Sequence, residues 1–193
     1  MIAYKKEKLD NAICYFANEV YKRRGEYLPQ TLLYKFLSYL DFTSIERMGV
    51  PSLELKYRAY QNGPVPVDLY QNKSQYETDC FRFEARSNKR FVFISKKEAD
   101  LSYFSASEIS IMNDLLNKYI RKDITMKDII DNICNDSHKD IKAWKAAYNR
   151  KKDNTMSYSD TFEDIDKKKF EDLSINEERF LVYSALKDKT ICN

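Results

Sequence analysis

The sequence predicts an α+β domain, mainly α-helical, in which several packed helices accompany one small antiparallel β-hairpin or sheet. Three observations predict it. Apolar residues recur at three- and four-residue steps over long stretches. Helix-start pairs stand at Ser105/Glu108, Thr125/Asp128 and Ser174/Glu177. Only two short runs, residues 80–85 and 90–95, alternate apolar with other side chains in the manner of strands.

The elements follow in order. From Lys6 to Arg24, the residues Leu9, Ala12, Ile13, Phe16 and Val20 share one helical face, and Gly25 is a natural stop. A second helix starts near Pro29, carries Leu32, Leu33, Phe36, Leu37 and Leu40 inward, and ends at Gly49 and Pro51. Residues 52–71 read as extended, then as a rigid turn at Gly63-Pro64-Val65-Pro66, then as briefly helical. The runs CFRFEA and RFVFIS form a hairpin turning through Arg86, Ser87, Asn88 and Lys89.

In the second half, Ser105 and Glu108 can each satisfy a free backbone N–H at a helix start, and that helix runs to about Tyr119. Thr125 and Asp128 open another, with Ile129, Ile130 and Ile133 as its apolar stripe, and DIKAWKAAY is a short helix after it. Residues 149–169 are rich in Lys, Asp, Ser and Thr and read as a long surface connection. Ser174 and Glu177 then cap a final helix. A chain of 193 residues fits a single domain spanning 1–193, with no internal repeat.

Composition excludes several classes. An apolar fraction of 43% with 33% charged residues belongs to a folded chain and not to a disordered one. No stretch approaches the ~18 consecutive apolar residues of a membrane span, and the first residues read as an amphipathic helix; no membrane is expected and the cytoplasm is the expected compartment. Cys14, Cys80, Cys134 and Cys192 are scattered, so buried free thiols are expected and neither a metal site nor any cofactor. A formal net charge of +3 is far from the dense positive field that grips phosphates. The clusters Arg150-Lys151-Lys152 and Lys167-Lys168-Lys169 adjoin acids and read as solvated faces, so nucleic acid is an unlikely partner.

The segment LLYKFLSYLDFTSIERMGVPSLELKYRAYQNGPVP carries an aspartate on an apolar helix (Asp41), then Gly49 to Pro51, Tyr57 to Ala59 and Gly63 to Pro66. Further on stand FSASEISIMNDLLNKY and SHKDIKAWKAAY, with Ser137, His138, Ala143 and Trp144. In this order and spacing, over residues 5–148, these motifs resemble the Panacea domain of SocA-like antitoxins. The resemblance implies a bacterial or phage-associated antitoxin, not an enzyme, that neutralises a protein toxin encoded nearby by direct contact. Relatives of the founding type also hand their toxin to a protease, so a Clp-type machine is a second implied partner. Where many relatives place a histidine three residues after the aspartate, this chain has Ser44, and no metal or proton-transfer role is assigned to that pair.

Read as chemistry, the candidate residues favour structure or partner binding. Asp41, on an apolar helix, must be hydrogen-bonded if buried, and tying down the Gly63 loop is the expected role. His138, the single histidine, is expected to pack beside Trp144 or cap a helix; no nucleophile motif stands near any serine. Gly63, Pro64 and Pro66 read as a structural corner, and Trp144 with the fifteen tyrosines as potential partner anchors. Two rival functions remain at this point: a hydrolase using Asp41 with His138, which requires the two to converge in a pocket, and a transcriptional regulator.

Overall fold

Two long helices in succession form the centre of the molecule. In a computed structural model, which describes residues 3–72, 77–86, 90–150 and 153–191, α1 spans Lys5–Arg24 and α2 spans Gln30–Met48. Each ends where expected, on a glycine in the left-handed conformation: Gly25 at φ 70° and Gly49 at φ 77°. Pro29 closes a two-residue strand, β1 (Leu28–Pro29), and sits one position before the first helical turn. α2 is the hub. Leu32, Leu33, Phe36, Leu37 and Leu40 are fully buried, and α1, α4 (Ala106–Tyr119), α5 (Met126–Asp140) and α7 (Ile175–Ile191) all pack on it.

The expected hairpin is β4 (Phe81–Arg86) paired antiparallel with β5 (Arg90–Ser95), and β1 adds a third strand in the order β1-β5-β4. Phe81 and Phe93 turn inward; the tip residues Ser87, Asn88 and Lys89 lie outside the described residues. A second, two-stranded sheet corrects the sequence reading. Gly63–Pro66 is a strand, β3, paired with β2 (Tyr57–Tyr60) in the register Tyr57↔Pro66 and Tyr60↔Gly63, and the turn is Gln61-Asn62. α3 (Val67–Gln71) follows directly.

The helix starts are as the spacing predicts: Ser105/Glu108 and Thr125/Asp128 both form reciprocal capping boxes, and Ser174 and Glu177 exchange the same pair of bonds before α7. α6 (Lys142–Asn149) carries the Trp144 segment. Residues 149–169 are not a mere surface connection. Thr155 bridges to Arg58, Met156 N–H donates to Tyr57 O at 3.0 Å, and Met156, Thr161 and Ile165 are buried. A polar composition concealed this because the anchoring is by backbone and by single side chains spaced without a period.

No helix among the described residues is long and apolar enough to cross a membrane. Cys14 and Cys80 are buried free thiols and Cys134 is half-buried and free; Cys192 lies outside the described residues.

α7 is attached through the end of α2. A Cβ on Gly49 would stand 2.5 Å from Arg179 Cβ and 2.5 Å from Asn176 O. The Asn176 amide also donates to Glu46 O at 2.9 Å, and Phe180 packs on Ile45. Gly49→Ala adds a left-handed penalty of roughly 1–2 kcal/mol to that collision. The expected outcome is a lower melting temperature together with earlier proteolytic cleavage near residues 170–175 than within α2; unchanged cleavage there would show that the α2–α7 junction is not the weak point.

Candidate functional site

The organising group is the Asp41 carboxylate, which is fully buried on α2. Its Oδ1 accepts the N–H groups of Leu53 at 2.5 Å and Glu54 at 3.1 Å, and Oδ2 accepts that of Leu55 at 3.1 Å. Two tyrosine hydroxyls also meet Oδ2, Tyr57 at 2.9 Å and Tyr158 at 3.0 Å. Each hydroxyl has one proton and a second acceptor in reach, Leu37 O at 3.0 Å and Leu55 O at 2.7 Å respectively. Each hydroxyl can therefore donate to Oδ2 or to its carbonyl, not to both at once. Burial pushes the carboxyl above its ordinary range, against the pull of the Leu53 and Leu55 N–H groups and the Tyr57 and Tyr158 hydroxyls.

Asp41 therefore ties down residues 53–57, not the Gly63 loop as expected. That second task falls to Lys35, one turn and a half earlier on α2, whose ammonium donates to Pro64 O at 2.9 Å. Lys35 is sealed, 1% exposed, and burial brings its pKa down to about 8. The fit is tight: a Cβ on Gly63, at φ 97°, would lie 2.6 Å from Ser137 Oγ and 2.8 Å from Lys35 Cε.

His138 stacks on Trp144 with centroids 3.9 Å apart, and Trp144 stacks in turn on Tyr148 at 4.7 Å. The Trp144 indole N–H donates to Tyr60 O at 3.0 Å, fastening α6 to β2. His138 is held below its ordinary value by burial and by the Lys35 charge. The predicted motif residues thus form one internal frame: Asp41 bonds Tyr57, Tyr57 opposes Pro66, Lys35 holds Gly63 and Pro64, and Trp144 holds Tyr60. Gly49 ends α2 and Pro51 is buried in the turn that follows. Ser44 is fully buried, with its hydroxyl unpartnered among the described residues. Asp41 and His138 share no hydrogen-bond partner among the described residues, and neither lines the cavity that Tyr57 and Tyr158 help to form.

That cavity, about 590 Å³, opens directly over the frame. Leu55, Tyr57, Val67, Met156 and Tyr158 form its walls, and Lys5, Lys56, Arg58 and Lys187 stand around them. Its one acid, Glu54, has φ 55°, a conformation costly for a residue with a Cβ and typical of places where a fold stores strain for use. Glu54 is clamped: Tyr183 donates to it at 2.6 Å, Lys187 lies at 2.7 Å, and Lys5 reaches its carbonyl at 2.6 Å. Burial opposes ionisation, but the bonds from Lys187 and Tyr183 and the Lys5 charge outweigh it and hold the pKa at about 2.

Sequence reasoning missed Lys35, Glu54, Tyr158 and the cationic rim. Lys35 had a signal, a lone cation in the inward phase of an apolar helix; Tyr158, within a polar stretch, had none.

A family model described as antitoxin SocA-like, Panacea domain, matches residues 33–145, more than half of the 193-residue chain. No curated protein and no solved structure matches.

Asp41→Ala strands three buried N–H groups at about 1–3 kcal/mol each, so its loss is expected to unfold the protein at room temperature or bring it close. Asp41→Asn keeps Oδ1 and supplies donors to both tyrosines, leaving only Leu55 N–H unpaired. Urea denaturation should rank wild type above Asn and Asn above Ala; equal Asn and Ala values would remove Asp41 from its central role. Glu54, depressed from 4.5 to about 2, contributes stability that is present above pH 4.5 and lost as pH falls towards 2. Glu54→Gln should flatten that acid limb, measured as melting temperature against pH.

Proposed function

The chain belongs to the SocA-like Panacea antitoxin family, and from that premise we propose that it neutralises a protein toxin encoded nearby by binding it, without catalysing a reaction. The observation that carries this reading is the family match, which covers the central helix α2, both strands of the small sheet and the Trp144 anchor. The site supports it. Asp41, Tyr57 and Trp144 of the motif, with Lys35, hydrogen-bond backbone groups of other segments, as in a scaffold that presents a surface. The open cleft beside that scaffold has apolar walls ringed by cations, a character suited to holding a partner. Delivery of the toxin to a Clp-type protease, a role in phage-associated regulation and a cytoplasmic location are further parts of the proposal that rest on the family's character.

The test is expression of the adjacent open reading frame in a bacterial host with and without this chain. Arrested growth that this chain restores, together with co-purification of the two proteins, is the expected result. A harmless neighbour that does not co-purify would defeat the reading.

A further inference from the structure

Resting on the antitoxin reading, we propose that the cleft beside Glu54 is the surface that takes the toxin, and that it takes an acidic segment bearing a large apolar side chain. Charge is the first ground. Four cations, Lys5, Lys56, Arg58 and Lys187, face a single carboxylate, Glu54, which Lys5, Lys187 and Tyr183 already satisfy. Lys56 and Arg58 are exposed and form no salt bridge among the described residues. The Arg58 charge also acts on Asp153, a carboxylate outside the lining that holds the Thr155 hydroxyl and N–H. The cleft therefore keeps a positive surplus that an acidic partner would neutralise.

Shape and backbone accounting give the second ground. The floor is apolar, built from Leu55, Val67, Met156 and Tyr158, and about 590 Å³ accommodates one or two large side chains. Strand addition is closed: β2, which forms one wall, pairs with β3 on one side and with residues 154–156 on the other. Recognition must come from side chains, with an apolar anchor in the floor and carboxylates on the rim. The walls are also rigid, because Asp41 holds Leu55, Tyr57 and Tyr158 at once, which keeps the entropy cost of binding low.

The exposed stripe of α7, with Ile175 at 63% and Val182 at 60%, is the competing surface.

The experiment uses the full chain co-expressed with the adjacent gene product as probe, comparing Lys56→Glu/Arg58→Glu with Val182→Glu. Both variants alter exposed side chains, and circular dichroism melts confirm folding. With the cleft as the docking surface, the double charge reversal weakens the complex roughly ten- to hundred-fold, abolishes rescue of growth and steepens in effect at low salt, while Val182→Glu behaves as wild type. If the double variant still rescues and binds normally while wild type does so too, the cleft assignment is wrong and the antitoxin reading survives. Loss with Val182→Glu alone moves the interface to α7 and equally overturns it. A short DNA duplex that displaces the probe would make the cleft a nucleic-acid site, again against the proposal. If wild type itself neither rescues nor binds, the antitoxin reading fails and this inference falls with it.

Discussion

A carboxylate with no cation beside it, sealed inside an apolar helix, governs the arrangement of four separate segments. Asp41 accepts three consecutive N–H groups, and those three, Leu53 to Leu55, belong to a turn that would otherwise leave buried donors unpaired. Holding that turn forces Glu54 into a left-handed conformation, which points its carboxylate at Lys5 on α1 and at Tyr183 and Lys187 on α7. The two tyrosines on Oδ2 bring in β2 and the 154–158 segment. α1 and α7 are thus both referred, through Glu54, to one point on α2. The cost is a desolvated acid, and the fold offsets it with three backbone N–H groups and two tyrosine hydroxyls on the two carboxylate oxygens.

Lys35 solves the complementary problem with the opposite charge. Pro64 and Pro66 occupy alternate positions of a ribbon's edge strand, where a proline's missing N–H is tolerated, but the Pro64 carbonyl still needs a donor. No backbone group is available there, and the lysine ammonium supplies it. Burial drives that ammonium's pKa down as it drives Asp41's up. α2 can carry both groups because each bonds backbone of another segment, while most of its other inward positions are apolar.

What the sequence made legible was local. Helix starts at Ser105, Thr125 and Ser174, helix ends at Gly25 and Gly49, and the Phe81–Ser95 hairpin all depend on residues within a few positions of one another, so spacing alone reveals them. The stacking of His138 on Trp144 was also foreseeable, six positions apart across a helix break. What escaped detection was non-local. Gly63–Pro66 looks like a turn until Tyr57–Tyr60 is known to lie opposite it. Tyr158 is 117 positions from Asp41, and nothing in the polar run around it distinguishes it from a surface tyrosine. Asp41 is hydrogen-bonded as a buried carboxylate must be, yet its partners are not those expected, because such a group announces that donors exist without saying where they come from.

The same division separates scaffold from surface. The frame of Asp41, Lys35, Tyr57, Gly63 and Trp144 lies wholly within residues 33–145, the portion shared with the family. The cleft is composite: Leu55, Lys56, Arg58 and Val67 come from the shared portion, while Lys5, Met156, Tyr158 and Lys187 come from the flanks. Asp41 joins the two sets, since one of its tyrosines lies inside the shared portion and the other outside it. The proposed docking surface therefore depends on the same carboxylate as the scaffold, and half of its lining, including Met156 and Tyr158, comes from outside the matched span, where sequence patterns revealed least.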